Sequence, residues 1–374
     1  MNIIKTQHDL EVVCAHLARG EAIAIDTEFT RTQTYWPILS LVQVSDGKNG
    51  YIIDFYDQPL NPAPLVELLA NLNLVKIVHS CRQDFEIFLK NFGVLPLNIF
   101  DSQVAALLLY PYEEMGLSKL LHEVFGFELN KTQQNTNWLQ RPLSENQLKY
   151  ALSDVEHLHD LRRVLLQKLE EKGRLGWLYE EQQFLVDPQT YTVDRDMIWK
   201  KVKSTKINVR SLSPLSFLLL HRLSQWREEK AQLLNYNRGR VFSDEMLLQI
   251  IQKSPQTEEE MREQWGELLD VKSVQSHYAS LLEELWAEIE NAGRVPREKW
   301  PSLKKNKMLS GAENSLLEKL RALQLTVAED LGISTRVLAT NDDMKKFCLG
   351  DHQVSFMKGW RYEVFGKKAV ALGE

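Results

Sequence analysis

Asp26 and Glu28 in the run AIAIDTEF, Asp84 in HSCRQDFEIF, and Tyr150 with Asp154 in YALSDV have the types and spacing that could do chemistry. Carboxylates repel one another and are costly to desolvate, so four of them gathered in one place need cations. Asp26 and Glu28 end an apolar, strand-like run. Period-two geometry puts both side chains on one face, roughly 6–7 Å apart along the strand. Such a pair can reach one metal ion, or two ions about 4 Å apart; the plain alternative is a surface DxE. Tyr150 and Asp154, four apart on a predicted helix, share a face. That fits a site, and it equally fits a half-buried tyrosine beside an exposed acid. Asp84 opens another predicted helix, where a carboxylate interacts favourably with the N-terminus whatever else it does.

An α/β fold is needed to position these residues. Short β-prone runs at 22–27, 40–45, 51–54 and 75–79 predict strands, the first three forming a meander. Helical patterns follow at 62–71, 83–92, 101–109, 116–125 and 144–170. The last has a clear start, with Ser144 as N-cap and Gln147 three residues on as in a capping box. Asp101 in FDSQ is expected to cap the helix after it. Beyond about 188 the texture changes. A basic stretch carries Lys200, Lys201, Lys203 and Lys206 around Trp199, which reads as a solvated linker or as a nucleic-acid contact. From 213 onward only helical patterns remain, in two groups that suggest a diverged repeat. The first has helices at 214–233, 244–253, 257–268 and 274–291; the second covers about 311–372.

The 374 residues suit two or three domains with sizeable cores. Without a run of eighteen apolar residues, no transmembrane helix or membrane partner is expected, and the N-terminus lacks a signal-peptide pattern. Three widely spaced cysteines predict a reducing, cytoplasmic setting and no disulfide framework. They form no CxxC, which argues against zinc. A net charge of −6 is unusual for a nucleic-acid binder, though acid concentrated in a metal site says little about local basic patches.

The runs DTEFTRTQTYWPILSLVQVSDG, HSCRQDFEIF and NWLQRPLSENQLKYALSDVEHL, in that order, resemble the three exonuclease motifs of the ribonuclease D family. This is the branch of DnaQ-like 3′→5′ exonucleases whose third motif carries a tyrosine. The resemblance covers about residues 1–190. It implies an RNase H-like exonuclease domain, a mixed sheet flanked by helices. It further implies that Asp26, Glu28, Asp84 and Asp154 bind two divalent cations and that Tyr150 orients the attacking water. Oxygen ligands without Cys or His suit Mg²⁺ or Mn²⁺. Tyrosine, with an ordinary pKa near 10, suits hydrogen bonding better than proton abstraction at neutral pH.

Phe29, Tyr35 and Trp36 are candidates for stacking on terminal bases, or for the core. Arg141 is a candidate phosphate contact, or an acid's partner. Gln43 and His79 read as satisfied core polar groups, or as groups behind the acids, and His79 is kept among the substrate-binding candidates. Cys81 reads as inert. Residues 212–292 resemble the helical HRDC module, although the expected glycine-rich hairpin is replaced by a stretch with one glycine.

The expected organisation is an exonuclease domain at 1–190, a basic linker at 191–211, an HRDC domain at 212–292 and a second, diverged HRDC-like domain at 293–374. Lys304, Lys305, Lys307, Lys345, Lys346, Lys367 and Lys368 could steer RNA, or merely coat helices. The expected function is a monomeric 3′→5′ exoribonuclease that trims tRNA precursors and other small structured RNAs, releasing nucleoside 5′-monophosphates. The alternatives are a DNA exonuclease on the same fold and a non-catalytic RNA-binding adaptor.

Overall fold

The computed structural model describes residues 2–130, 132–203, 209–270, 275–302 and 308–373. They fall into two compact units, one of residues 1–30, 38–191 and 307–374, the other of 31–37 and 192–306. Lys206, Lys304, Lys305 and Lys307 lie outside the described residues.

The first unit is framed by six strands: β1 (Asn2–Ile4), β2 (Ala22–Thr30), β3 (Ile38–Ser45), β4 (Gly50–Asp54), β5 (Val75–Val78) and β6 (Ile99–Asp101). Their order is β1-β4-β3-β2-β5-β6. The expected meander is present, with β2, β3 and β4 antiparallel. The other pairings, β1 with β4, β2 with β5 and β5 with β6, are parallel. Sequence reasoning missed β1 and β6, each of three residues, because a two-sided parallel edge strand that short leaves no periodic signal.

Helices α1 (Gln7–Leu17), α2 (Ala63–Ala70) and α3 (Arg82–Phe92) cover one sheet face. Leu10, Leu65 and Phe88 pack there with Ile23, Val42 and Ile53. Helices α4 (Ser102–Leu107), α5 (Leu117–Phe125), α6 (Glu145–Glu156), α7 (Leu158–Glu171) and α8 (Leu175–Gln182) follow. The long predicted helix at 144–170 is thus two, α6 and α7, broken at His157. On the second face Leu148 and Ala151 of α6 pack on Leu41 and Ile52, while Val155, Leu161 and Leu165 join Ala24, Ile77 and Phe100. The meander edge of the sheet therefore lies beneath the helix that carries Tyr150 and Asp154.

The second unit holds α9 (Pro214–Leu234), α10 (Arg238–Val241), α11 (Asp244–Lys253), α12 (Glu258–Asp270) and α13 (Gln275–Gly293). Its core is built from Leu220, Trp226, Ile251, Trp265 and Leu285, among others. The presumed linker is structured in part. Residues Arg195–Lys201 form a 3-10 helix with Ile198 buried, and Trp199 lies edge-on to Phe217 with ring centroids 5.2 Å apart. Residues 271–274, within the stretch that replaces the glycine-rich hairpin, lie outside the described residues.

The chain ends, back in the first unit, with α14 (Gly311–Leu331), α15 (Thr335–Leu338), α16 (Asn341–Cys348), α17 (Gly359–Arg361) and α18 (Lys367–Gly373). Leu320, Phe356 and Trp360 share one core with Leu161 and Leu178. Trp360 stacks on Trp177 at 4.3 Å between centroids, and Arg361 pairs with Glu181.

Candidate metal centre

Ile23, Ile25 and Thr27 point to one side of β2, and Ala24, Asp26 and Glu28 to the other, as strand alternation requires. The register with β3 shifts between Glu28 and Phe29, Ser40 being skipped before pairing resumes at Phe29 and Leu39, the kind of bulge that re-aims a side chain. Across the gap, α6 is held at its start by the predicted capping box. Ser144 Oγ accepts from the Gln147 amide at 3.2 Å, and Gln147 Oε1 accepts from the Ser144 amide at 3.0 Å. The helix then brings Tyr150 and Asp154 over the sheet, and carboxylate oxygens of Asp26, Glu28 and Asp154 lie within 4.8 Å of one another.

Asp84, in the first turn of α3, stands outside that group of three but close enough for its charge to act on it. Thr27 Oγ1 donates to its Oδ1, and its charge is felt by both Asp26 and Glu28. Sequence reasoning missed Thr27, since a threonine inside a strand is ordinary. It also missed half of what Asp101 does. Asp101 caps α4 as expected, accepting from the amides of Gln103 at 2.8 Å and Val104 at 3.3 Å. Its carboxylate also accepts from Ser80 at 3.1 Å and Cys81 at 3.0 Å. Ser80 is left-handed, with φ of 60°, so Asp101 pins the strained turn that launches α3 and Asp84.

Burial and neighbouring carboxylates both favour the neutral forms of Asp26 and Glu28. Burial, then Asp84, Asp154 and Glu28, push Asp26 well above its ordinary value. Glu28, only 9% exposed, is pushed up to about 9 by burial and then by Asp154 and Asp84. Burial raises Asp84 to about 7 against the opposing bond from Thr27. The Tyr150 hydroxyl bonds to Asp154, and burial followed by Asp154, Glu28 and Asp26 holds it firmly protonated. For Asp26 and Glu28 the dominant influences are desolvation and the other acids of the centre. All the converging donors are carboxylate oxygens, a set that fits a hard divalent cation.

The other candidates are placed differently. Arg141 is committed to an acid. Its Nε and Nη2 bond to the two Asp54 carboxylate oxygens at 2.8 and 2.6 Å, and its Nη1 donates to the carbonyls of Trp138 and Gln140. Phe29 packs on the face opposite the acids. Tyr35 is 5% exposed and belongs to the second unit, where its hydroxyl donates to Glu228 at 2.5 Å beneath Arg238. Trp36 is half-buried in that unit, with its indole N–H on the Gln232 carbonyl at 3.3 Å. Tyr35 is thus a core residue and not an open stacking face, and Trp36 packs against the same core with part of its surface exposed. His79 Nδ1 meets Ser102 Oγ at 2.9 Å. Cys81 is a buried thiol raised well above its ordinary value by burial and Asp101, and so is inert.

Gln43 departs from its expected role as a satisfied core group. It is 0% exposed, and neither Nε2 nor Oε1 has a hydrogen-bond partner among the described residues. An amide left so in a protein interior costs about 1–3 kcal/mol.

Two family models match the chain: a 3′-5′ exonuclease over residues 1–170 and an HRDC domain over 216–285. Ribonuclease D of Zymomonas mobilis is 34% identical, with 100% of this chain and 94% of that protein covered. Ribonuclease D of Bartonella henselae is 32% identical over 100% of this chain and 90% of its own. The crystal structure of Escherichia coli RNase D, described as an exoribonuclease involved in structured RNA processing, superposes with a TM-score of 0.83. Its identity is 27%, and 100% of this chain and 98% of that one are covered.

Proposed function

The chain belongs to the ribonuclease D family and is a metal-dependent 3′→5′ exoribonuclease; from that premise we propose that Asp26, Glu28, Asp84 and Asp154 are its ligands for two divalent cations, Mg²⁺ or Mn²⁺. One observation carries the reading: carboxylate oxygens of Asp26, Glu28 and Asp154 converge to within 4.8 Å, and the Asp84 charge acts on Asp26 and Glu28. When bound, the cations supply positive charge that acidifies an attacking water and offsets the charge growing on the scissile phosphate. The residues of the chain do the rest. The four carboxylates, once ionised, fix where that charge sits. Tyr150, anchored on Asp154 and held protonated, positions the water by hydrogen bonding and is not a base. Hydrolysis breaks the P–O3′ bond, so each cycle yields a nucleoside 5′-monophosphate and an RNA one nucleotide shorter with a new 3′-hydroxyl.

The substrates proposed are tRNA precursors and other small structured RNAs, handled by a monomer in the cytoplasm. The RNA-processing description of the E. coli structure supports the substrate class, and three free, buried thiols suit a reducing compartment.

The helical modules fit such substrates, and residues 293–374 read as a diverged second HRDC-like domain. Supporting this, the starts and ends of α9, α10 and the start of α11 recur at one constant offset in α14, α15 and α16. A buried contact recurs with them. Arg227 Nη1 of α9 donates to the Phe242 carbonyl at 2.8 Å, and Gln324 Nε2 of α14 donates to the Ala339 carbonyl at 2.7 Å.

A tRNA precursor with a short 3′ extension tests the substrate, compared with the same RNA ending in deoxynucleotides and with single-stranded DNA. We expect stepwise removal of the extension in Mg²⁺ and slower removal of DNA. Equal or faster removal of DNA would overturn the RNA assignment.

A further inference from the structure

We propose that Gln43 is a positioning residue of the acid centre: when a cation is bound, its side-chain amide, unpaired among the described residues without one, donates to the Asp26 carboxylate and fixes the orientation in which Asp26 ligates the cation. The inference rests on the reading of the four acids as a metal site. Gln43 stands on β3 directly opposite Asp26, with Ile52 of β4 on its other side. Directly opposed residues share a sheet face, with Cβ atoms about 4.5–5.5 Å apart. Gln43 therefore lies in the layer where Leu41 and Ile52 meet Leu148 and Ala151 of α6.

Packing alone does not ask for an amide there, because Met or Leu fills the same volume. Two of the acids already have a dedicated side-chain donor: Asp84 takes the Thr27 hydroxyl and Asp154 takes that of Tyr150. Gln43 is the amide that the sheet register sets beside Asp26. It is fully buried, with neither amide atom paired among the described residues. The other acids, once ionised, are acceptors only. An N–H directed at a ligating carboxylate is a charge-assisted bond, and such outer partners hold ligands in place.

Gln43→Met tests this in the full-length protein, with Mn²⁺ binding followed by isothermal titration calorimetry in the absence of RNA. The variant should melt at or above the wild-type temperature without metal and bind Mn²⁺ about tenfold more weakly. In turnover, kcat at low Mn²⁺ should fall with KM for RNA unchanged, and excess Mn²⁺ should restore it. A merely structural glutamine would lower the melting temperature and leave Mn²⁺ affinity alone. A dissociation constant within twofold of wild type overturns the proposal. Asp26→Asn is run alongside. If it binds Mn²⁺ as wild type does, the metal-site reading fails and the Gln43 proposal falls with it; if it loses Mn²⁺ while Gln43→Met does not, the Gln43 proposal fails alone. Should Gln43→Met not fold, wild-type protein labelled with ¹⁵N at glutamine side chains decides. The Gln43 amide resonance should shift on Mg²⁺ addition, and a stationary resonance overturns the proposal.

Discussion

Glu28 is costly to keep where it is. Burial and two neighbouring carboxylates favour its neutral form, and the same holds for Asp26. Asn at Asp26 or Asp154 removes one repelling charge at nearly constant volume. Either variant should nearly abolish RNA turnover while folding normally, and should melt a few degrees higher without metal, because the acids sacrifice stability for function. Turnover assays and thermal melts check both halves. The pH dependence has a definite sign. Glu28 moves from an ordinary 4.5 to about 9 and Asp84 from 3.8 to about 7, so the metal-free fold binds more protons than the unfolded chain between those limits. Stability contributed by these groups is full below about pH 4 and is lost as pH rises through 7 and 9. Cations must displace those protons. Mg²⁺ should therefore raise the melting temperature more at pH 8.5 than at pH 6, and a protective effect that weakens with rising pH would contradict the assignment. Tyr150→Phe keeps the ring and loses the hydroxyl, and should lower kcat about 10–100-fold with little change in KM. Strand and helix periods put Asp26 with Glu28 and Tyr150 with Asp154 on shared faces, but only the family resemblance joined them and Asp84 into one expected site. The fate of Arg141 was not, because a single arginine can serve a phosphate or an acid equally well, and its partner Asp54 lies far off in sequence.

At the scale of elements, short turns and caps decide where the acids point. Asp101 receives four backbone amides and so ties β6, α4 and the Ser80 turn to the start of α3. Asp101→Ala strands buried donors and should destabilise the protein by about 2–3 kcal/mol in denaturant melts. Arg141→Ala leaves the buried Asp54 carboxylate without its partner; a loss of about 3–5 kcal/mol is expected. Weakened RNA binding at unchanged stability would instead restore Arg141 as a phosphate contact. The α6 start could be read from Ser144 and Gln147 because a capping box is local. The tie between Asp101 and the Ser80 turn could not, because it joins two loops that only the sheet brings together.

At the scale of the molecule, the last helices belong to the core of the first unit. Trp360, Phe356 and Leu320 pack with Leu161 and Leu178. Ending the chain at 306 should expose that surface, lower the melting temperature of the nuclease unit and promote aggregation. A truncated chain as stable as the full one would contradict this packing. The positions of α9, α11, α12 and α13 were readable from apolar periodicity, but α10 and the separate helices after 311 were not, nor was their partition, since which helix faces which core is a long-range property. The charge of −6 likewise misled about nucleic acid, because part of it is the four acids themselves. What remains is whether those acids do the chemistry. The test is a 5′-labelled RNA incubated with wild-type protein and with Asp154→Asn, each in Mg²⁺ and then in EDTA. Wild type in Mg²⁺ should give a ladder that shortens one nucleotide at a time from the 3′ end, and both EDTA and Asp154→Asn should leave the RNA at full length. Trimming that persists in EDTA, or in Asp154→Asn at the wild-type rate, would contradict a metal centre built on these four carboxylates.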